Sequence, residues 1–365
     1  MTRRPSSTGH GTRSISATPS STACSNGQRA GRRSDAGPRG IGLNAALASV
    51  LAILAFAALM VGPYAIGPLQ TVAALIGLGD PQADIVVNRI RLPRVAGACL
   101  VGAALAAAGA SYQALFRNPL VSPDILGVSA GAGLGAVAGI FLALPVALIQ
   151  LSAFAGGLVA VAVVMAVAAA VRGGDRVLTL VLTGVVIGAL AGAATSLLKV
   201  LADPYDQLPA ITFWLLGSLA SVTSDDILPA LPAVALGLVP LVLLRWRINV
   251  LSMGDEEARA LGIEAARVRL LVIAAATLVT ASVTAVAGVV GWVGLVIPHI
   301  ARMLVGPAFA RLLPASALIG AGYLLVVDTA ARTLAAIEVP LGILTAVIGA
   351  PVFVWLLASG RRGWT

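Results

Sequence analysis

"NRIRLPRVAGACLVGAALAAAGASYQALF", residues 88–116, sets three arginines directly before 22 residues that contain no Asp, Glu, Lys or Arg. A helix needs about 20 apolar residues to cross the hydrocarbon layer, and a charge at its centre costs about 3 kcal/mol, so residues 95–116 read as one membrane span. Composition supports that reading for the whole chain. Its 365 residues are 59% hydrophobic and 11% charged, with a mean hydropathy of +0.98, which leaves too little charge to cover a soluble surface. An all-α integral membrane protein is expected.

Residues 177–198 and 339–360 are also charge-free over 22 residues, and each reads as one helix. The 47 charge-free residues from 125 to 171 carry a Pro, a Gln and a Gly pair near their middle, and read as two helices joined by a tight turn. Further spans are expected near 43–63, 227–244 and 312–331. Residues 270–301 have basic residues at both ends, which requires an even number of crossings, yet 32 residues reach only about 48 Å. One full helix and one short, broken helix carrying Gly288, Gly291, Gly294 and Pro298 are expected there. The total is ten transmembrane helices.

Arginine and lysine counts in the loops set the orientation. With a cytoplasmic N-terminus the inner loops receive Arg117, Arg172, Arg176, Arg245, Arg247, Arg259, Arg267, Arg269, Arg302, Arg311, Arg361 and Arg362. The outer side then receives Arg89, Arg91, Arg94, Lys199 and Arg332. Both termini are expected in the cytoplasm, and the three arginines of the opening stretch stand on the side where arginine is disfavoured. Residues 1–40 are a separate, Ser-, Gly- and Arg-rich segment with seven Arg and one Asp, which carries six of the nine net positive charges. Such a segment cannot bury a core and is expected to be a disordered tail, with the membrane-spanning helical body at 41–365. The high pI therefore implies no nucleic-acid partner. Cys24 and Cys99 imply no disulfide framework.

Catalytic readings fail one by one. The single lysine, Lys199, stands in "SLLKV", so the chain lacks a phosphate loop ending in Lys-Ser/Thr. "GAGLGA" at 131–136 lies inside an apolar run without a preceding strand, and Gly131, Gly135 and Gly139 share one helix face, which reads as close helix packing. His299 has no companion at metal-ligand spacing. No catalytic or metal site and no bound cofactor are expected. Ion-driven carriers usually keep acidic groups near mid-membrane. Here Asp328 alone is a candidate, and Arg332 lies one turn further on at pairing distance.

Energy is thus expected from a partner. Between Arg247 and the span near 270 runs "INVLSMGDEEARALGIEAARVRL", a short helical segment ended by Gly262 and followed by a second helical start. That helix-Gly-helix elbow near 252–268 has a form suited to docking into a partner's groove.

"RLPR" with "LVGAALAAAGASYQALFRNPLVSPDILGVSAGAGLGA", "MGDEEARALGI", "GVVGWVGLVIPHIARML" and "VPLGILTAVIGAPVFVWLL" resembles the permease subunits of FecCD/BtuC-type ABC importers over about 43–362. The resemblance implies a ten-helix, BtuC-like (type II importer) subunit in a bacterial inner membrane that forms a homodimer within the lipid. It implies two ATP-binding cassette subunits, which carry ATP and Mg2+, and a periplasmic or surface solute-binding protein. Cargo would be an iron complex (haem or ferric siderophore), with cobalamin the alternative. It assigns coupling to Gly254, Glu256, Glu257, Ala258, Arg259, Leu261 and Gly262. It assigns binding-protein docking to Arg91, Arg94 and Arg332, whose planar forks suit carboxylates. The competing readings are headgroup snorkelling for Arg91 and Arg94 and a local pair with Asp328 for Arg332. Thr183, Thr195 and Ser196 are candidates for a weakly polar translocation path.

Overall fold

The computed structural model describes residues 38–171, 176–335 and 337–359, so the first 37 residues of the expected tail, Arg172, Arg361 and Arg362 lie outside the described residues. Helices make up the architecture, and among the described residues there is no strand. Helix α1 (Pro38–Met60) starts on a proline, three residues inside the stretch read as tail. A proline at the first helical position sacrifices no bond there. Helix α2 (Pro68–Leu75) is a short turn-like element, entered through Gly67, whose N–H donates to Gln70 Oε1.

Residues 88–116 depart from expectation. Helix α3 (Pro81–Asp84) continues through a π-helical turn, Ile85–Arg91, into α4 (Leu92–Leu115), making one continuous helix of 35 residues. Pro93 lacks the N–H that would bond four residues back, and the wider π turn ends just before it. Arg89, Arg91 and Arg94 thus ride on the helix itself instead of preceding it.

After a 3-10 turn at Pro123–Leu126 and Gly127 in the left-handed region, α5 (Val128–Phe141) and α6 (Val146–Ala170) form the expected hairpin. The turn falls at 142–145, so Gln150 and the Gly156–Gly157 pair stand inside α6. A Cβ at Gly131 would lie 2.5 Å from the Gly156 carbonyl oxygen, and one at Gly135 would fall on the Ser152 carbonyl. The glycine face of α5 is therefore a close-packing face, as its spacing predicts. Helix α7 (Arg176–Leu201) is followed by α8 (Gln207–Leu216), which the sequence reading missed, and by α9 (Ser224–Leu243), opened by a reciprocal cap between Thr223 and Asp226.

The elbow region comprises α10 (Arg245–Leu251) and α11 (Asp255–Ala260), and α12 (Ala265–Ala287) starts five residues before the expected span. The break at Gly288–Trp292, with both of those residues at positive φ, separates α12 from α13 (Val293–Val305). Helices α14 (Phe309–Thr333) and α15 (Leu341–Ser359) complete the chain.

Among the described residues seven helices are long and apolar enough to cross a membrane: α1, the joined Pro81–Leu115 helix, α6, α7, α9, α12 and α14. Helices α5, α8, α13 and α15 are apolar but shorter. The joined helix and α12 are the most buried spans, whereas α1 and α7 leave most of their surface uncovered.

The centre is held by backbone contact. A Cβ at Gly102 of α4 would fall on the Gly320 carbonyl of α14, one at Gly320 on the Gly102 carbonyl, and one at Gly109 on the Gly294 carbonyl of α13. Helices in lipid gain little from apolar burial, so such close approach supplies the packing energy. Substituting Leu for Gly102 must overpack this seam, and we expect a loss of at least about 1–3 kcal/mol in unfolding of the detergent-solubilised protein. Gly42→Ala, where a Cβ meets nothing within 4 Å, should stay within about 1 kcal/mol of the parent.

Candidate functional site: two opposite ends of the bundle

Three guanidinium groups meet at one end. Arg91, Arg94, Arg332 and Glu338 line an open cavity of about 350 Å3 together with Tyr64 and Ala335. Arg94 is buried and spreads its fork over two carboxylates. Its Nε donates to Asp328 Oδ1 at 2.9 Å, its Nη1 to Glu338 Oε2 at 2.9 Å, and its Nη2 contacts both acids. Arg332 Nε stands 3.4 Å from Asp328 Oδ2, the i,i+4 pair that its spacing allowed. Arg91 Nη1 donates to the carbonyls of Leu59 at 2.7 Å and Met60 at 2.9 Å, and Nη2 to that of Tyr64. Those carbonyls belong to the end of α1 and the segment beyond it, which lack helical donors of their own. Arg91 thus closes α1, and its charge is met by dipoles instead of an acid. Within the cluster three guanidiniums face two carboxylates, so one positive charge stays in excess.

This geometry bears on the ion-carrier reading. Asp328 is fully buried, and its carboxylate is held by two arginines. Loss of uptake in an Asp328→Asn variant would therefore report damage to the cluster as readily as loss of proton coupling. The sequence reading paired Asp328 with Arg332 alone. It missed Arg94, 234 residues away, and Glu338, because no local pattern encodes those contacts.

The elbow occupies the other end. Helix α12 runs about 34 Å from it to Ala287. The Ala287 carbonyl accepts from Ser218, and the Gly217 carbonyl accepts from Leu341, the first residue after the loop that carries Glu338. The elbow is a built turn. Gly262, at φ 73°, donates to the Arg259 carbonyl while Ile263 donates to that of Ala258, the paired closure of a helix ending on a left-handed glycine. Gly254 opens α11 at φ 156° and ψ 161°, a conformation only glycine adopts readily, and a Cβ there would fall on the Glu257 carboxylate. Asp255 pairs with Arg269 of α12 at 3.1 Å. Of the seven elbow residues picked from the sequence, Gly254 and Ala258 are buried as support. Glu256, Glu257, Arg259, Leu261 and Gly262 are exposed and form one presented surface.

The path candidates are not brought together. Thr183 and Thr195 are half-buried and about 18 Å apart along α7, on different faces, while Ser196 is exposed and donates to its own backbone at Gly192. Near Thr183, Gly184 of α7 packs against the Ile125 carbonyl.

The FecCD transport family profile matches residues 50–359. A molybdate import system permease from Haemophilus influenzae is 38% identical over 87% of this chain and 95% of its own length. An iron chelatin transport system permease from Helicobacter pylori is 43% identical over 76% of this chain and 84% of its own length. Among solved structures, a metal-chelate type ABC transporter in an inward-facing conformation matches with a TM-score of 0.80 and 37% identity, over 87% of this chain and 99% of that one.

Removing the buried carboxylate charge should be more damaging than removing the one at the elbow. Asp328→Asn removes the acid that Arg94 and Arg332 share and should cost about 3–5 kcal/mol in denaturant unfolding, against about 1–3 kcal/mol for Asp255→Asn, whose own side chain is partly solvated while its partner Arg269 is buried.

Proposed function

The chain belongs to the FecCD transport family, and from that premise we propose that it is the permease subunit of a binding-protein-dependent ABC importer. The observation that carries the reading is the division of the molecule: a rigid, partner-shaped elbow at one end, an arginine cavity with excess positive charge at the other, and an apolar body between. In this reading the elbow end and both termini face the cytoplasm of a bacterial cell, and the body crosses the inner membrane ten times, with α5, α13 and α15 as short crossings beside the seven long ones. Two such subunits form a homodimer in the lipid. Two ATP-binding cassette subunits seat on the exposed Glu256, Glu257, Arg259 and Leu261 and supply ATP and Mg2+. All hydrolytic chemistry lies in them.

A solute-binding protein docks at the arginine cavity. Arg91 supports that role best, since its guanidinium spends itself on carbonyls and keeps its charge uncancelled. Arg94 and Arg332 share Asp328, so they contribute a preorganised cationic floor. ATP binding draws the cassettes together, the elbow passes that displacement to α12, and the two permease halves rock between outward and inward openings. The cargo we favour is an iron complex, haem or a ferric siderophore, in keeping with the iron chelatin relative. The molybdate relative is of comparable identity, so overall similarity does not select the cargo. Cobalamin is the second reading and alters nothing in the mechanism. An ion-coupled carrier is disfavoured because its one candidate residue, Asp328, is locked between two arginines.

The elbow provides the test. With the permease, cassettes and binding protein reconstituted in lipid, cargo-loaded binding protein should stimulate ATP hydrolysis. Charge reversal on the presented surface, Glu257→Lys with Leu261→Asp, should cut that stimulation by at least about tenfold, the effect of losing about 1.4 kcal/mol of contact. Undiminished stimulation in a folded variant would remove the elbow from the coupling route.

A further inference from the structure

The outward fork of Arg94 is already filled, and the two carboxylates that fill it are not equivalent. Asp328 belongs to α14 itself, is fully buried, and is shared with Arg332. Glu338 sits in the connection between α14 and α15, with 28% of its side chain exposed, and takes Nη1 at 2.9 Å together with Nη2. An arginine fork closed on both nitrogens by one carboxylate is the strong, geometry-specific form of this contact. Glu338 nevertheless lies at the rim of the open cavity, where a released carboxylate regains water.

We propose that Glu338 is a built-in stand-in for a carboxylate of the solute-binding protein: it holds the outward fork of Arg94 in the free permease and yields it to the partner's carboxylate on docking. The proposal rests on the docking reading given above and adds the residue that sets its strength. Three features of the cluster support it. Arg94 is buried, and a guanidinium left unpaired there is costly, so the free subunit needs an occupant for both edges of the fork. Asp328 fills the inner edge permanently, which keeps α4 and α14 joined while the outer edge changes hands. Glu338 hangs on a connection of a few residues, so its departure requires no helix to move. Docking affinity then reflects the difference between two carboxylates instead of the full strength of one, and the binding protein can leave once cargo is delivered.

The test uses the complete importer in nanodiscs and its cargo-free solute-binding protein, with Kd as the readout. Glu338→Gln removes the competitor's charge and should tighten binding by about three- to tenfold. Arg94→Lys keeps a cation beside Asp328 but loses the planar fork, and should weaken binding by about tenfold. In the double variant Glu338→Gln should no longer tighten, the non-additivity expected of two residues that share one contact. Should Glu338→Gln fail to give monodisperse protein, Glu338→Asp, which keeps the charge but falls short of the fork, must tighten binding too. If Arg94→Lys weakens binding while the Glu338 variants leave Kd unchanged or raise it, Glu338 is a structural staple and the proposal is wrong, with docking at Arg94 intact. If Kd ignores Arg94→Lys and the Glu338 variants alike, Arg94 takes no part in docking, and the proposal falls together with the docking role given to Arg94.

Discussion

Gly102 and Gly320 press backbone against backbone, and the rest of the arrangement follows from that seam. The two helices run antiparallel there, so moving toward the arginine end lowers the number on α4 and raises it on α14. Arg94 and Asp328 are each eight residues from their glycine, about 12 Å along the axis, and they meet as a buried ion pair. The glycine register thus fixes which charges face each other. A side chain at either glycine would both force the helices apart and pull the guanidinium off its acid.

Burying charge in an apolar bundle is expensive unless every partner is present. At the arginine end that cost is met by Arg94 and Arg332 pairing with Asp328 and Glu338, while Arg91 closes the carbonyls at the end of α1. At the other end the constraint is conformational. Two glycines, in backbone regions that other residues avoid, hold α11 as a short projection from α12, supported by buried Ala258 and the Asp255–Arg269 pair. In the proposed reading these two ends are the partner-facing elements, joined by the long helices between them.

Hydropathy made the helical body legible, because the 22-residue charge-free runs each correspond to one helix and the 47-residue run to a helical hairpin. The elbow was legible as well, since its glycines bracket a strongly helical hexapeptide. The glycine face of α5 and the Asp328–Arg332 pair followed from helical periodicity. Failures came where information is non-local or where a local signal misled. Arg89, Arg91 and Pro93 resembled a boundary, yet a π turn carried the helix through them. Helix α8 is ten residues long, below the length that marks a span. Arg94's acids lie 234 and 244 residues away, and only the folded register brings them together. Thr183, Thr195 and Ser196 were chosen by hydroxyl type alone, which does not specify a helix face, and they spread over more than one face of α7.

Cargo movement through this chain, driven by ATP hydrolysis in a partner, can be measured as accumulation in proteoliposomes of radioactive iron offered as a ferric siderophore or as haem, or of labelled cobalamin, on the side opposite the binding protein. One cargo should accumulate, and its accumulation should require the cassette subunits and ATP on the elbow side and survive a protonophore. Accumulation without the cassettes, or its collapse when the ion gradient is dissipated, would contradict ATP-driven movement.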